Sequence, residues 1–245
     1  GLFFLIAEEI ELKTIRNQHT FKYVKNDEKA HKLRTRFVYD IKTDKNGDVA
    51  KFKARLVVLG YEQRPSEYNE TYAPVAQWTT IIILLVMGWY WGYIIKMMDF
   101  KGAYLHAKRP ENVPIYLKPI PGLELPNGTM IFMDKSLYGT LDAGNLWRKE
   151  IHELLTKLNF VQSKNDPCLY IRHQNGKTTF IGTWVDDTLI VTNDEGIEQF
   201  KVDCETAGYD ISFFGDVEKF LGIACKYDRK LGTLTLDQKE YLKAE

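Results

Sequence analysis

The sequence predicts an α+β fold, on three observations. Short apolar runs bounded by Asn-Gly and other Gly turns read as strands, other apolar runs recur at helical spacing, and the two kinds mix without a βαβ period. With 44% hydrophobic and 13% aromatic residues, a chain of 245 residues can bury a sizeable core in one large or two smaller domains. There is no internal repeat and no low-complexity segment.

The first clear element is a hairpin in "RTRFVYDIKTDKNGDVAKFKARLVVLGYEQ", two strands turning at Lys45-Asn46-Gly47-Asp48, because an Asn-Gly pair between alternating apolar runs is a strong turn signal. On its second strand Lys51, Lys53 and Arg55 share one face, while Phe52, Ala54 and Leu56 share the other. A solvated sheet face accounts for such a basic row, and so does a phosphate-binding one. "TTIIILLVMGWYWGYIIKMMDF" predicts a buried helix from about Thr80 to Trp91, a turn at Gly92 and a strand ending at Asp99. Its uncharged core, Ile81 to Ile95, falls short of the ~20 residues that cross hydrocarbon, so no membrane span is expected.

The Pro-rich and Gly-rich stretch from Lys108 to Lys135 predicts a short strand over Ile115 to Lys118 and a second hairpin at Asn127-Gly128. Leu146, Ile151, Leu154, Leu155 and Leu158 make one face of a helix from about Asn145 to Leu158. Strands follow at 168 to 172, 178 to 185 and 188 to 192, then a helix from Glu195 to Thr206 and strands near "KFLGIACKYD" and "GTLTLDQ".

The 33 basic and 33 acidic residues balance, so a nucleic-acid role must rest on a local basic surface. Cys168, Cys204 and Cys225 are widely spaced, without CxxC or His spacing, which indicates neither zinc nor a disulfide framework and fits a reducing compartment. The chain opens at Gly1 without a methionine or a signal peptide, as a fragment or processed product does.

"FIGTWVDDTLIV" sets Asp186 and Asp187 in an otherwise uncharged run. Uncompensated burial of two like charges is costly, whereas at a hairpin tip a divalent ion can reach them. Asp99, ending its own strand, is a third candidate. Strand ends carrying Asp99 and Asp186 side by side would bind two Mg²⁺ ions, hard cations that take oxygen ligands. Two such ions activate a 3′ hydroxyl and stabilise the leaving pyrophosphate. An exposed Asp-rich turn is the plain alternative, made weaker by the apolar flanks.

The ordered blocks "KFKARLVVLGYEQ", "YNETYAPVAQWTTI", "KMMDFKGAYLHA", "VPIYLKPIPG", "KSLYG", "SKNDPCLYI", "WVDDTLIV", "EKFLGI" and "LTLDQKEYL" resemble the reverse transcriptase domain of copia-like LTR retrotransposons nearly end to end. The resemblance implies a right-hand polymerase fold with fingers and palm, the palm an antiparallel sheet with helices on one face. It implies RNA-directed DNA synthesis with two Mg²⁺ ions, or Mn²⁺ in their place, on an RNA or DNA template with primer and deoxynucleoside triphosphates.

By position, Asp99, Asp186 and Asp187 resemble the catalytic triad, with Asp99 and Asp186 as metal ligands and Asp187 in support. Arg55 and Lys53 resemble the residues that contact the incoming triphosphate, and Tyr104 resembles the aromatic gate under the nucleotide sugar. Asp142 stands where the family has a glutamine beside the nucleotide, and would bring negative charge near a triphosphate unless Lys or Arg neutralises it. Gly144, Asn145, Ile82 and Trp184 also depart from the family pattern.

The implied organisation is an N-terminal extension over 1–19, mainly fingers over 20–98, and mainly palm over 99–245 with further fingers elements near 108–145. Thumb and ribonuclease H are expected to be absent or truncated. The implied setting is cytoplasmic, in virus-like particles or another larger assembly, with nuclear access and no membrane. Two alternatives remain open: a decayed or domesticated module that binds nucleic acid or a protein partner without catalysis, and a two-metal nuclease, for which no further Glu or His cluster is present.

Overall fold

The computed structural model describes every residue except Lys45, Asn175, Asp186, Leu221, Gly222 and residues 240–245. The chain begins with α1 (Leu2–Asn17), β1 (Phe21–Lys25), β2 (Lys32–Leu33) and the hairpin of β3 (Thr35–Thr43) and β4 (Val49–Val58). Next come α2 (Trp78–Tyr90), β5 (Ile94–Phe100), α3 (Ala103–His106), β6 (Tyr116–Leu117) and β7 (Thr129–Met133). The remainder is α4 (Ala143–Lys157), β8 (Val161–Gln162), β9 (Leu169–Gln174), β10 (Lys177–Trp184), β11 (Asp187–Thr192), α5 (Asp194–Thr206), β12 (Ile211–Asp216), β13 (Lys219–Phe220), β14 (Ile223–Asp228) and β15 (Thr233–Asp237).

These elements divide into two units, Gly1–Ala73 with Gly102–Glu150, and Pro74–Lys101 with Ile151–Glu245. The first unit holds a 4-stranded sheet in the order β1-β7-β6-β2 and the separate β3-β4 hairpin. The Asn-Gly hairpin forms where expected, with Gly47 at φ 87° and the Asp44 carboxylate accepting from the Asn46 and Asp48 amides. The second expected hairpin forms with a long loop: β6 and β7 pair antiparallel across the segment that holds the Asn127-Gly128 turn, and β7 pairs on its other edge with β1. Pro119, Pro121 and Pro126 precede that turn, and a proline-broken segment cannot donate a strand ladder.

Residues 1–19 carry a regular helix. Leu12 and Ile15 of α1 enter a core with Leu56 and Val58 of β4, Leu105, Ile115, Ile131 and Leu137. Near the helix start, Phe3 stacks on Phe52 at 5.0 Å and Phe4 meets the same ring edge-on at 5.1 Å. The apolar side of the hairpin is thus covered by α1, which leaves Lys51, Lys53 and Arg55 on the side that faces away from it.

The second unit is built on a 6-stranded sheet in the order β12-β5-β11-β10-β9-β8, antiparallel at every pairing. Ile81, Leu84 and Leu85 of α2 pack with Ile95, Phe180, Leu189 and Val191. Gly88 lets α2 approach closely, because an added Cβ would overlap the side chain of Ile95. The helices are not confined to one face. Asp203 of α5 binds Arg172 of β9 at 2.6 Å, and Arg172 pairs across the sheet with Thr179, on the side opposite the α2 cluster. A sheet covered on both faces explains why Leu189, Ile190 and Val191 are consecutively apolar and fully buried. Cys168, Cys204 and Cys225 are buried free thiols, and burial pushes Cys204 up to about 12 and Cys225 to about 11.

A buried polar network fastens three loops of the first unit. Arg109 and Asp142, 5% and 2% exposed, form a two-pronged ion pair at 2.8 and 2.9 Å, and Arg109 also donates to the Glu67 carbonyl at 3.2 Å. Gln63 donates to the same carbonyl and accepts from the Leu141 amide at 2.7 Å. Gly139, at φ 91°, lies so close to β4 that an added Cβ would overlap the Val58 carbonyl oxygen.

Breaking this pair from one side strands a buried charge. Asp142→Gln is expected to lower unfolding free energy by about 3 kcal/mol, and adding Arg109→Met should recover most of the loss. Denaturant titration of the single and double variants checks both. Gly139→Ala should cost at least as much, about 3 kcal/mol from left-handed strain plus overlap.

Candidate functional site

The carboxylates of the candidate triad are placed by strand register. Pairing of β11 with β5 sets Asp187 opposite Asp99, Leu189 opposite Met97 and Val191 opposite Ile95. Opposed residues of an antiparallel pair point to the same face with Cβ atoms about 5 Å apart. Asp99 and Asp187 therefore share a face at one end of the sheet, Asp99 partly exposed and Asp187 exposed. Asp186 lies outside the described residues, so its expected juxtaposition with Asp99 does too.

The row continues sideways. Ser212 of β12 is the partner of Asp99 on its other side, and Trp184 of β10 is the partner of Asp187. A hydroxyl and an indole thus flank the two carboxylates. β10 ends at Trp184 and β11 begins at Asp187, and Val185 has φ 57°. A β-branched residue in the left-handed region is strained by about 1–2 kcal/mol. Hairpin loops of this length usually put Asn or Gly there. Such strain concentrates where a precise side-chain placement is functional. Carboxylate oxygens on one exposed face fit a hard divalent cation.

In the first unit, Arg55 and Tyr104 come together on a residue that the sequence reading did not single out. The Arg55 guanidinium lies 5.4 Å from the centre of the Tyr138 ring, and the Tyr104 ring meets that same ring edge-on at 5.1 Å. Arg55 Nε is buried without a hydrogen-bond partner. Lys53 lies on the same face of β4, opposite Asp40 of β3. Tyr138 belongs to the "SLYG" block, but nothing in its spacing points to these two residues.

The free edge of β4 is sealed from two sides. The Val58 amide donates to the Tyr138 carbonyl at 2.8 Å, and the Leu56 amide donates to Oε1 of Glu11 in α1 at 3.1 Å. Burial pushes the Glu11 carboxyl above its usual range, opposed by the Leu56 amide and by the charges of Lys53 and Arg55. Asp142 sits in the buried ion pair with Arg109, so its charge is neutralised within the protein. Asn145 is buried and donates to the Tyr72 carbonyl. The zero net charge divides unevenly, with a basic excess in the first unit and an equal acidic excess in the second.

The chain is similar to known proteins over nearly its whole length. The family model described as "Reverse transcriptase (RNA-dependent DNA polymerase)" matches residues 18–244. The chain is 27% identical over 241 residues to the retrovirus-related Pol polyprotein from transposon TNT 1-94 of Nicotiana tabacum, covering 96% of this chain and 18% of that protein. It is 30% identical over 211 residues to the Pol polyprotein from transposon RE1 of Arabidopsis thaliana, covering 84% of this chain and 14% of that protein. The chain thus spans less than a fifth of each of these two relatives. Among solved structures, the protease-reverse transcriptase of prototype foamy virus aligns with a TM-score of 0.46 and 12% identity, over 83% of this chain and 22% of that one. On the family match, the chain belongs to the reverse transcriptase (RNA-dependent DNA polymerase) family, as the domain carried within copia-like retrotransposon Pol polyproteins.

Proposed function

We propose that this chain catalyses RNA-directed DNA synthesis by two-metal nucleotidyl transfer. The observation that carries the reading is the register that sets Asp99 opposite Asp187 on one face, close to the left-handed Val185. In this reading Asp99 and Asp186 are the metal ligands and Asp187 supports them. Mg²⁺, or Mn²⁺, supplies the charge that activates the primer 3′ hydroxyl and steadies the leaving pyrophosphate. The carboxylates orient that charge, while Arg55 and Lys53 bind the triphosphate and Tyr104 lies under the nucleotide sugar. The place of Arg55 over the Tyr138 ring, which Tyr104 also meets, supports its part, since Arg109, whose Nε is equally orphaned, is committed to Asp142.

The organisation proposed is mainly fingers over 20–98 and mainly palm over 99–245, with further fingers elements near 108–145. The substrates of this reading are an RNA or DNA template with primer and deoxynucleoside triphosphates. Its setting is a cytoplasmic virus-like particle.

Burial of Asp142 against Arg109 favours this reading over a decayed, non-catalytic module. The departure from glutamine at that position would argue against triphosphate binding only if its charge faced the nucleotide.

Purified chain is expected to extend a primer in Mg²⁺, with Asp99→Asn lowering the rate by more than the ~100-fold typical of outer-shell partners of a metal. No extension by wild type, or equal extension by Asp99→Asn, sinks the proposal. Arg55→Ala should weaken primer–template or triphosphate binding and flatten its salt dependence, because fewer phosphate contacts release fewer counterions. Its thermal stability should change by no more than about 0.5 kcal/mol if the side chain serves binding alone. Affinity measured at two salt concentrations for both proteins decides this.

A further inference from the structure

The helix α1 lies outside the residues matched by the family model, yet its Glu11 reaches the strand that carries the basic row. The Leu56 amide that Glu11 accepts from belongs to the peptide unit directly after Arg55. That amide and the Val58 amide point away from β3, one capped by Glu11 and the other by the Tyr138 carbonyl. Fixing the peptide after Arg55 fixes the backbone torsion that aims the Arg55 side chain. The guanidinium is then held over the Tyr138 ring with its Nε buried and unmatched. A two-stranded hairpin has no third strand to hold this edge, and a free edge amide is otherwise left to water.

We infer that Glu11 is a positioning residue for triphosphate binding, acting through the Leu56 amide to hold Arg55 in its binding geometry. The inference rests on the proposed function and adds to it a residue on an element beyond the family match. Glu11 touches no reacting atom in this scheme. Its neutral amide analogue should serve nearly as well, because what matters is an acceptor oxygen at that distance from the amide.

The test is steady-state primer extension with the deoxynucleoside triphosphate varied on a fixed primer–template, together with direct binding of the same triphosphate in Mg²⁺. Glu11→Ala is expected to raise KM for the triphosphate about tenfold, the scale of one lost buried hydrogen bond, with kcat changed less than about twofold. Glu11→Gln, which keeps the acceptor, should stay within about twofold of wild type. In an Arg55→Ala background, Glu11→Ala should add nothing further to KM, since residues that act through one another are non-additive.

Glu11→Asp retains the charge but is one methylene shorter. It should behave like Glu11→Ala, and it replaces that variant should the alanine protein fail to fold. A wild-type KM in Glu11→Ala or Glu11→Asp overturns the inference. So does a full additional rise in the Arg55→Ala background, or a Glu11→Gln protein as impaired as Glu11→Ala. In each of those cases wild type still extends primers, and the proposed function stands. A wild type that neither extends a primer nor binds triphosphate removes the function itself and this inference with it.

Discussion

The pairing register of β5 and β11 is the constraint on which the candidate site depends. Like charges directly opposite one another destabilise a sheet, so Asp99 facing Asp187 is a local cost. The same ladder sets Ile95 against Val191 and Met97 against Leu189, and these residues meet α2 in the core. A slip by one residue would turn every one of them to the other face. Burial of the apolar members therefore fixes the position of the acidic ones. The sheet is covered on both faces, which removes the freedom to slip that a half-solvated strand keeps.

The first unit handles charge differently. Arg109 and Asp142 are fully withdrawn and matched to each other, and Glu67 and Gln63 complete a network that fastens the loops around residues 60–67, 107–109 and 137–142. Arg55 is instead held over the Tyr138 ring, and its Nε, like those of Arg109 and Arg148, is buried without a hydrogen-bond partner. Satisfied buried charges serve structure, since removing either partner is destabilising while the pair itself is near neutral.

Much of the framework was legible because periodicity reports burial. The hairpin around Asn46-Gly47, α2, α4, α5 and β9 to β11 fall within a few residues of their expected bounds. Two of the elements that escaped, β8 and β12, have no periodic signal. In β12, Phe213 and Phe214 are adjacent and the ladder with β5 shifts register after Phe213. β8 has two residues, too few for any pattern. The prolines before the Asn127-Gly128 turn keep the preceding strand short, so β6 meets β7 across a long loop and not a tight turn. The partnerships that define the polar site were hidden for another reason. Arg109 and Asp142, or Arg55 and Tyr138, lie far apart in sequence, and the contact exists only once the sheet and hairpin have formed.

Position-by-position comparison with a family pattern carries the same limit. At Asp142 the pattern has glutamine, and the substitution reads as a charge set beside a triphosphate. In the fold the carboxylate is turned into a buried arginine, so its charge is matched before any substrate is present. A departure from a pattern changes function only through the atoms that the side chain meets. Where a charge-changing residue arrives together with a buried counter-charge, the pair restores the local electrostatics that the single change would have upset. The row of Ser212, Asp99, Asp187 and Trp184 is set by strand register, so there too the partners that the fold supplies, and not the residue types alone, decide what the charges do.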